Sequence, residues 1–309
     1  MPTTTSRRTN VICEDRVVIV TGGARGLGRA HAVEFARQGA KVVVNDIGVQ
    51  LDGSGGDGSA AAEVADEIRA LGGEAEVHGA DVADWQQARE LVEFAVERFG
   101  RLDVLVNNAG FVRDRMFVNI AEDEWDQVIR VHLKGHAATM RHAAQHWRDR
   151  TKAGEAVQAR IINTTSGAGL LGSIGQTNYA AAKAGIIALT LNTAAELARY
   201  GVTVNAIAPS ARTRMTETVF ADMMARPEQG FDDMAPENVS PLVAWLGSVD
   251  SAEVTGRVFE VAGGDITVGT GWTRGPSRDA GRRWDADELG PVVAELLAKA
   301  PVPDPVYGT

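Results

Sequence analysis

A chain of 309 residues, 44% of them hydrophobic, can bury the core of one large or two small α/β domains. The formal net charge of −10 disfavours nucleic acid and anionic membrane surfaces as partners, and no apolar run is long enough to span a bilayer. The single cysteine and an N-terminal segment without an apolar signal core lead us to expect a cytoplasmic protein.

Short β-branched segments alternate with longer segments of helical period along most of the chain. Continuous apolar strands separated by amphipathic helices are typical of a parallel sheet covered on both faces. We therefore predict an α/β fold, with a single doubly wound Rossmann-type domain built on a seven-stranded parallel sheet. The predicted strands are 16–21, 41–45, 75–78, 103–106, 160–164, 202–207 and 257–261.

Three segments flank or interrupt this pattern. We assign residues 1–13 to a disordered lead-in and residues 14–268 to the Rossmann domain. Residues 210–240 follow the sixth strand and are rich in Met, Phe, Asp and Pro, which favours a mobile lid over a pocket. Residues 269–309 form a C-terminal extension with a predicted helix around 285–299.

A glycine-rich loop, T-G-G-A-R-G-L-G at Thr21–Gly28, follows the first strand and precedes an amphipathic helix. Glycines at these positions permit a tight turn and close backbone approach to a pyrophosphate, which then lies at the helix N-terminus. The strand-loop-helix context indicates a dinucleotide site, and the absence of Gly-Lys-Ser/Thr excludes a Walker loop. The predicted cofactor contacts in the loop are Gly22, Arg25, Gly26, Leu27 and Gly28.

Asp46 stands at the end of the second strand. A carboxylate there accepts hydrogen bonds from the adenosine ribose hydroxyls and repels a 2′-phosphate, so we predict NAD as the cofactor in preference to NADP. Arg25 favours NADP instead, because a nearby guanidinium is able to bind that 2′-phosphate.

A second polar cluster follows the fifth strand. Tyr179 and Lys183 are four residues apart and share one helix face, and Ser166 precedes the tyrosine by thirteen residues. A phenol titrates near 10 in water, about three units too high for base chemistry at neutral pH, and a neighbouring ammonium lowers its pKa. The Ser166 hydroxyl at a strand end is placed to hold a substrate oxygen.

These elements together resemble the classical short-chain dehydrogenase/reductase family. The glycine loop, N-N-A-G at 107–110, Ser166 and Tyr179-x-x-x-Lys183 occur in the family's order over about residues 14–268. The resemblance implies hydride transfer between nicotinamide C4 and a carbinol or carbonyl carbon. It assigns Tyr179 as acid/base, Ser166 as the residue that orients the oxygen, and Lys183 as the residue that binds the nicotinamide ribose and lowers the tyrosine pKa.

The same resemblance implies further cofactor contacts. Asp81 and Val82 would flank the adenine, and Asn107 and Ala109 would line the cofactor groove. Beyond the sixth strand the family usually has Pro-Gly and a threonine that contacts the carboxamide, whereas this chain has A-P-S-A-R-T and is one residue shorter. The matching residues are Pro209 and Thr213.

Four of the six histidines lie in Val131–His146, as two H-x-x-x-H pairs. A zinc site of the zincin type needs Glu after the first His and a third ligand, but Leu133 and Ala143 occupy those positions, so we predict no metal. Three of these histidines are expected to face solvent or a neighbouring subunit: His136, His142 and His146.

His132 stands where the family commonly has an asparagine thought to hold a water that links the catalytic lysine to solvent. A neutral imidazole offers one donor and one acceptor, so we expect His132 to hold the same water and to take part in catalysis. The alternative is a helix histidine without a relay role.

The phrase V-H-L-K-G, with V-V-V-N-D-I-G and G-Q-T-N-Y-A-A-A-K, narrows the resemblance. It is similar to the (3R)-hydroxyacyl-CoA dehydrogenase domain of the peroxisomal multifunctional β-oxidation enzyme and to bacterial relatives acting on acyl-CoA or steroids. We therefore expect an enzyme, an NAD-dependent (3R)-hydroxyacyl-CoA dehydrogenase. The alternatives are a 17β-hydroxysteroid dehydrogenase, a 3-oxoacyl thioester reductase, or a non-catalytic NAD-sensing protein.

The predicted lid supplies the substrate contacts. Arg212 and Arg214 are expected to meet CoA phosphates, and Met215 and Phe220 to contact an acyl chain or fused ring. The expected partner is therefore a small-molecule acyl-CoA or steroid substrate. The family resemblance also implies a homodimer or homotetramer.

Overall fold

The computed structural model describes residues 11–48, 58–213 and 224–308. Within those ranges, the strands form one eight-stranded sheet in the order β3-β2-β1-β4-β5-β6-β7-β8. The strands are β1 Val17–Thr21, β2 Lys41–Asn45, β3 Glu74–His78, β4 Val104–Asn107, β5 Ala159–Thr164, β6 Val202–Ser210, β7 Val258–Ala262 and β8 Asp265–Val268.

The first seven strands pair in parallel, which confirms the doubly wound sheet. The prediction of seven strands was one too few, because β8 returns antiparallel to β7 after a Gly263–Gly264 turn. All four residues of β8 are exposed, and its sequence, D-I-T-V, lacks the continuous apolar run of buried strands such as β1. The strand order reverses between β1 and β4, which opens a crevice at their carboxyl ends.

Helices cover both faces of the sheet. Val18 and Val20 of β1 pack into one core cluster, and Val17 and Ile19 pack into the other, because successive strand residues point to opposite faces. The α-helices of the described residues are α1 Gly26–Arg37, α2 Ser59–Ala70, α3 Trp85–Phe99, α4 Glu122–Ile129, α5 Gly135–Lys152, α6 Gly167–Leu171, α7 Thr177–Leu197, α8 Ser240–Gly247 and α9 Leu289–Lys299.

The two core clusters divide the helices. Helices α1, α2 and α8 contribute to one cluster, and α3, α5 and α7 contribute to the other. A π-helical segment, Arg130–Lys134, joins α4 to α5. Such segments are rare and occur frequently at functional sites. None of the helices in the described ranges is long and apolar enough to cross a lipid bilayer.

Both ends of the described chain are attached to the domain. Cys13, which we assigned to the lead-in, is fully buried, and its backbone N–H donates to the Gln38 carbonyl at 2.9 Å. The ordered domain therefore begins before residue 14, and residues 1–10 lie outside the described ranges. In the extension, α9 falls within the helix predicted around 285–299, and residues near the C-terminus return to the edge of the crevice.

Candidate active site

The glycine loop forms the turn from β1 into α1. Gly22 and Gly26 have φ values of +62° and +52°, which favour glycine. A Cβ on Gly28 would lie 2.0 Å from the Gly22 carbonyl oxygen, so this close backbone contact requires glycine. A Cβ on Gly26 would meet only the Thr213 side chain, at 3.5 Å. The N-cap residue Arg25 makes no side-chain capping hydrogen bond, which leaves the first-turn N–H groups available to an anion.

Asn108 holds the loop after β4 against the glycine loop. Its Nδ2 donates to the carbonyls of Thr21 and Gly22, both at 3.1 Å, and its backbone N–H donates to Thr21 Oγ1 at 3.0 Å. The N-N-A-G motif at 107–110 did not predict a role for Asn108. Its position after β4 was the only indication of this role, because the loops after β1 and β4 meet where the strand order reverses.

Asp46 lies beside the same loop. Its Oδ2 accepts from the Ala24 N–H at 3.1 Å, and its Oδ1 accepts from the Gly48 N–H at 2.8 Å. These two bonds fix the carboxylate at the carboxyl end of β2. The half-buried side chain retains acceptor capacity, because an ionised carboxylate has about four lone-pair directions.

Ser166, Tyr179 and Lys183 come together at the carboxyl end of β5. Ser166 is the N-cap of α6, where its Oγ accepts from the Ala168 N–H at 3.2 Å, and its hydroxyl hydrogen-bonds to Tyr179. Lys183 Nζ lies 5.3 Å from the centre of the Tyr179 ring and donates to the Thr164 carbonyl at 2.7 Å. The structure therefore brings the three predicted catalytic residues into one site.

Burial dominates the protonation of this cluster. It raises the pKa of Tyr179 to about 12, although the Ser166 hydrogen bond lowers it. It lowers the pKa of Lys183 to about 7. In the protein alone burial outweighs the Ser166 hydrogen bond at Tyr179, and the lowering of the tyrosine pKa by Lys183 stays a prediction.

His132 lies on the π-helical segment and packs edge-to-face against Tyr179, with ring centroids 5.2 Å apart. Its Nε2 lies 2.6 Å from the Phe111 carbonyl oxygen and 3.1 Å from the Phe111 nitrogen. A Cβ on Gly110 would lie 2.1 Å from His132 Cε1, so the glycine makes room for the ring. Burial, and then the nearby Lys183, lower the His132 pKa well below its usual value, which keeps the imidazole neutral.

A model of the family described as short chain dehydrogenase matches residues 16–224, which include the glycine loop and the Ser166, Tyr179 and Lys183 cluster. The chain belongs to the short-chain dehydrogenase family. It is therefore an oxidoreductase acting on CH–OH groups, and its family membership implies a nicotinamide cofactor and a small-molecule substrate.

Three similar proteins show how far the likeness extends. Hydroxyacyl-CoA dehydrogenase ChsB1 of Mycobacterium tuberculosis is 45% identical over 291 residues, which cover 92% of this chain and 89% of that protein. Peroxisomal multifunctional enzyme type 2 of Mus musculus is 43% identical over 253 residues, 82% of this chain but 32% of that longer protein. The crystal structure of a short chain dehydrogenase from Mycobacterium avium is 65% identical, has a TM-score of 0.87, and matches over 96% of this chain and 100% of that one.

The residues present fit the nicotinamide cofactor of a short-chain dehydrogenase. The uncapped N-terminus of α1 suits a pyrophosphate, and Asp46 suits the hydroxyls of a ribose. Asp81 accepts from Arg130 and from the Ala83 N–H, and Val82 is buried beside Gly135. These contacts fix the segment that follows β3, where the adenine is expected.

The remaining predicted cofactor residues differ in what they present to the groove. The Asn107 side chain is turned into the protein, where it donates to Asn163 at 3.0 Å and accepts from Thr139 at 2.7 Å. These bonds fix the side chain at the base of the groove, and a contact of Asn107 with the cofactor stays a prediction. Ala109 lies against Gly22, and Thr213 lies over Gly26. Pro209 is in β6 and is paired with Val261.

The prediction that three histidines face solvent or another subunit was wrong for two of them. His136 is 2% exposed, and burial, followed by Lys183, lowers its pKa to about 3. His142 is buried and packs edge-to-face on Trp85. His146 is half-buried. The described residues contain no group of three or more His, Cys, Asp or Glu side chains placed to hold a metal ion.

The substrate contacts predicted for the lid lie partly outside the described ranges, which exclude Arg214, Met215 and Phe220. Arg212 is described, and it is not available as predicted. Its guanidinium is buried and forms two hydrogen bonds to Asp232, at 2.7 and 2.8 Å, and also donates to the Met224 and Ala225 carbonyls. The buried charge is therefore balanced inside the protein instead of facing a CoA phosphate.

Asn178, which precedes the catalytic tyrosine, is a positioning residue that the motif did not reveal. It is fully buried, its Oδ1 accepts from the Tyr179 N–H at 2.8 Å, and its Nδ2 donates to the Arg113 carbonyl at 3.1 Å. These bonds anchor the first turn of α7 to the loop after β4. The angle at which Tyr179 enters the site is thereby fixed.

Proposed function

We propose that the chain is an NAD-dependent (3R)-hydroxyacyl-CoA dehydrogenase. The observation that carries the proposal is the contact among Ser166, Tyr179 and Lys183 beside an intact dinucleotide loop. The acyl-CoA substrate is supported by the similarity to hydroxyacyl-CoA dehydrogenase ChsB1, which is 45% identical. Because Arg212 is paired with Asp232, the preference for acyl-CoA over a steroid alcohol depends on that relative.

The proposed reaction oxidises a 3-hydroxyl group to a ketone. When bound, the oxidised nicotinamide supplies the hydride acceptor at C4. Ser166 orients the substrate oxygen, and the Tyr179 oxygen takes the hydroxyl proton as the carbon gives up its hydride. Lys183 would favour the phenolate through its charge and would hold the nicotinamide ribose. In the reverse direction Tyr179 returns the proton to the carbonyl oxygen.

We further propose that His132 passes the proton between Lys183 and solvent. In support, His132 Nδ1 and His136 Nε2 are buried without a partner among the described residues, and buried polar atoms of this kind commonly bind ordered water. The Thr164 carbonyl accepts from Lys183 and also lies close enough to His136 to raise its pKa. A polar route thus runs beside the catalytic lysine.

NAD is the proposed cofactor form. The support is the Asp46 carboxylate, held by two backbone N–H groups at the position that an adenosine 2′-phosphate would approach.

We also propose a cytoplasmic homodimer or homotetramer. Leu191 is exposed on α7, which supports the assembly, and the buried Cys13 is in no disulfide, which supports the compartment. Sedimentation velocity measures the assembly.

A substrate panel tests the function. Purified protein is given (3R)- and (3S)-hydroxyacyl-CoAs of several chain lengths and 17-hydroxysteroids, with NAD and NADP in parallel, and absorbance at 340 nm is followed. We expect the highest kcat/KM with a (3R)-hydroxyacyl-CoA and NAD. Tyr179→Phe is the matched control, which keeps the ring and removes the acid/base. Turnover of steroid alcohols alone would reject the acyl-CoA assignment.

A further inference from the structure

The end of the C-terminal extension is bound to the catalytic side of the domain. Tyr307 forms a parallel β-bridge with Ser173. Its N–H donates to the Gly172 carbonyl at 3.3 Å, and its carbonyl accepts from the Ile174 N–H at 3.0 Å. Residues 306–308, which we call the tail strand, thus add to the segment that connects Ser166 to Tyr179.

Side chains of the tail strand pack against glycines of that segment. A Cβ on Gly167 would lie 2.8 Å from both Cε2 and the hydroxyl oxygen of Tyr307, so the phenol ring lies directly on this glycine. A Cβ on Gly172 would lie 3.4 Å from a methyl of Val306. Since Gly167 directly follows Ser166, the Tyr307 ring lies one residue from the group that orients the substrate oxygen.

The Tyr307 ring is not buried by this contact. It is 46% exposed, and Ile174 beside the tail strand is 48% exposed. Partial burial, together with Glu260 and Asp304, raises the pKa of Tyr307, so its hydroxyl stays neutral at physiological pH. A neutral aromatic face next to an exposed isoleucine is a surface suited to an apolar group.

The positions of Ser166 and Tyr179 determine where the substrate lies. The reacting oxygen must lie within hydrogen-bond reach of both Ser166 and Tyr179, so the carbinol carbon lies close to the two ends of the segment that joins these residues. The tail strand covers that segment between 172 and 174.

We propose that the tail strand forms one wall of the substrate site and that Tyr307 contacts the apolar chain or ring of the substrate, which makes it a specificity-determining residue. The inference rests on the proposed oxidation of a secondary alcohol at Ser166 and Tyr179. It adds a role for the extension, 269–309, that the dinucleotide-binding core does not require.

The test compares kcat/KM for long-chain and short-chain 3-hydroxyacyl-CoAs. An aromatic contact of this kind corresponds to a two- to tenfold effect, so Tyr307→Ala should lower the long-chain to short-chain ratio by about that factor, mainly through KM. Tyr307→Phe should keep the wild-type ratio, because the ring makes the contact. Gly167→Ala, which displaces the ring, should reproduce the effect of Tyr307→Ala.

Trp272→Ala is the matched control, since this aromatic of the same extension is fully exposed. It should leave the ratio unchanged. An unchanged ratio in Tyr307→Ala, or an equal loss for all substrates with a lower Tm and a higher KM for NAD, overturns the inference. If the wild-type enzyme oxidises only steroid alcohols, the acyl-CoA proposal fails, and the Tyr307 test is then made with bulky and small secondary alcohols.

Discussion

The imidazole of His132 stands edge-on to the phenol ring of Tyr179, with an interplanar angle of 89° and centroids 5.2 Å apart. Its Nε2 is engaged by the Phe111 backbone, while Nδ1 has no partner among the residues that the structure describes. Burial keeps the ring neutral, so in the tautomer whose Nε2–H donates to the Phe111 carbonyl, Nδ1 is left as an acceptor at the site. An imidazole thus occupies the place that the resemblance assigns to an amide.

Removal of this imidazole should slow proton movement. We expect His132→Ala to lower kcat roughly tenfold and to alter its pH profile, because proton transfer becomes partly rate-limiting. His132→Asn should recover most of the activity, since the amide oxygen is an acceptor that is able to bind the same water. His142→Ala removes a buried histidine that packs on Trp85 and serves as the control. A His132→Ala enzyme with wild-type kcat and pH profile would exclude the relay.

Asp46 provides the test of cofactor choice. Asp46→Ala removes the carboxylate beside the glycine loop, so the NAD to NADP ratio of kcat/KM should fall about ten- to hundredfold, the range for hydrogen bonds to a charged group. Arg25→Ala tests the opposing argument, because it should weaken NADP if this guanidinium receives the phosphate. Asp66→Ala, on the exposed face of α2, is the control. An unchanged ratio in Asp46→Ala contradicts the assignment.

The sequence predicted those features that depend on local patterns. Buried strands such as β1 are continuous apolar runs, and the Thr21–Gly28 loop has a conformational need for glycine, so both are visible without a structure. The exposed strand β8 has no such run. The interior location of His136 was also missed, because the surrounding alanines of α5 do not distinguish a buried helix face from an exposed one.

Contacts between residues that are far apart in the sequence were also not predicted. The partner of Arg212 is twenty residues away, and only the fold brings Asp232 to it. Tyr307 likewise contacts Gly167, which is far from it in the sequence. The charge of Arg212 indicated what this side chain is able to bind, but not that Asp232 already binds it.

Lys183 illustrates a conflict between activity and stability. Its pKa of about 7 in the folded protein lies below the usual 10.5, so unfolding takes up a proton between these values and stability rises with pH across that window. Lys183→Met should therefore abolish turnover but raise Tm by about 2–5 °C at pH 7. The gain should shrink toward pH 10, where the lysine is neutral in the folded state. Thermal melts at several pH values measure this, and a pH-independent difference contradicts the burial argument.

The Arg212–Asp232 pair separates a structural role from a substrate role. If the pair joins the two ends of the 210–240 segment, Arg212→Ala and Asp232→Ala should each lower Tm, and the double variant should lose little more than either single variant, because removal of one partner already breaks the pair. KM for acyl-CoA should respond alike in all three. If Arg212 binds a CoA phosphate, Arg212→Ala alone should raise KM and reduce its salt dependence, while Asp232→Ala should lower KM. That second pattern would restore the role predicted for Arg212 from the sequence.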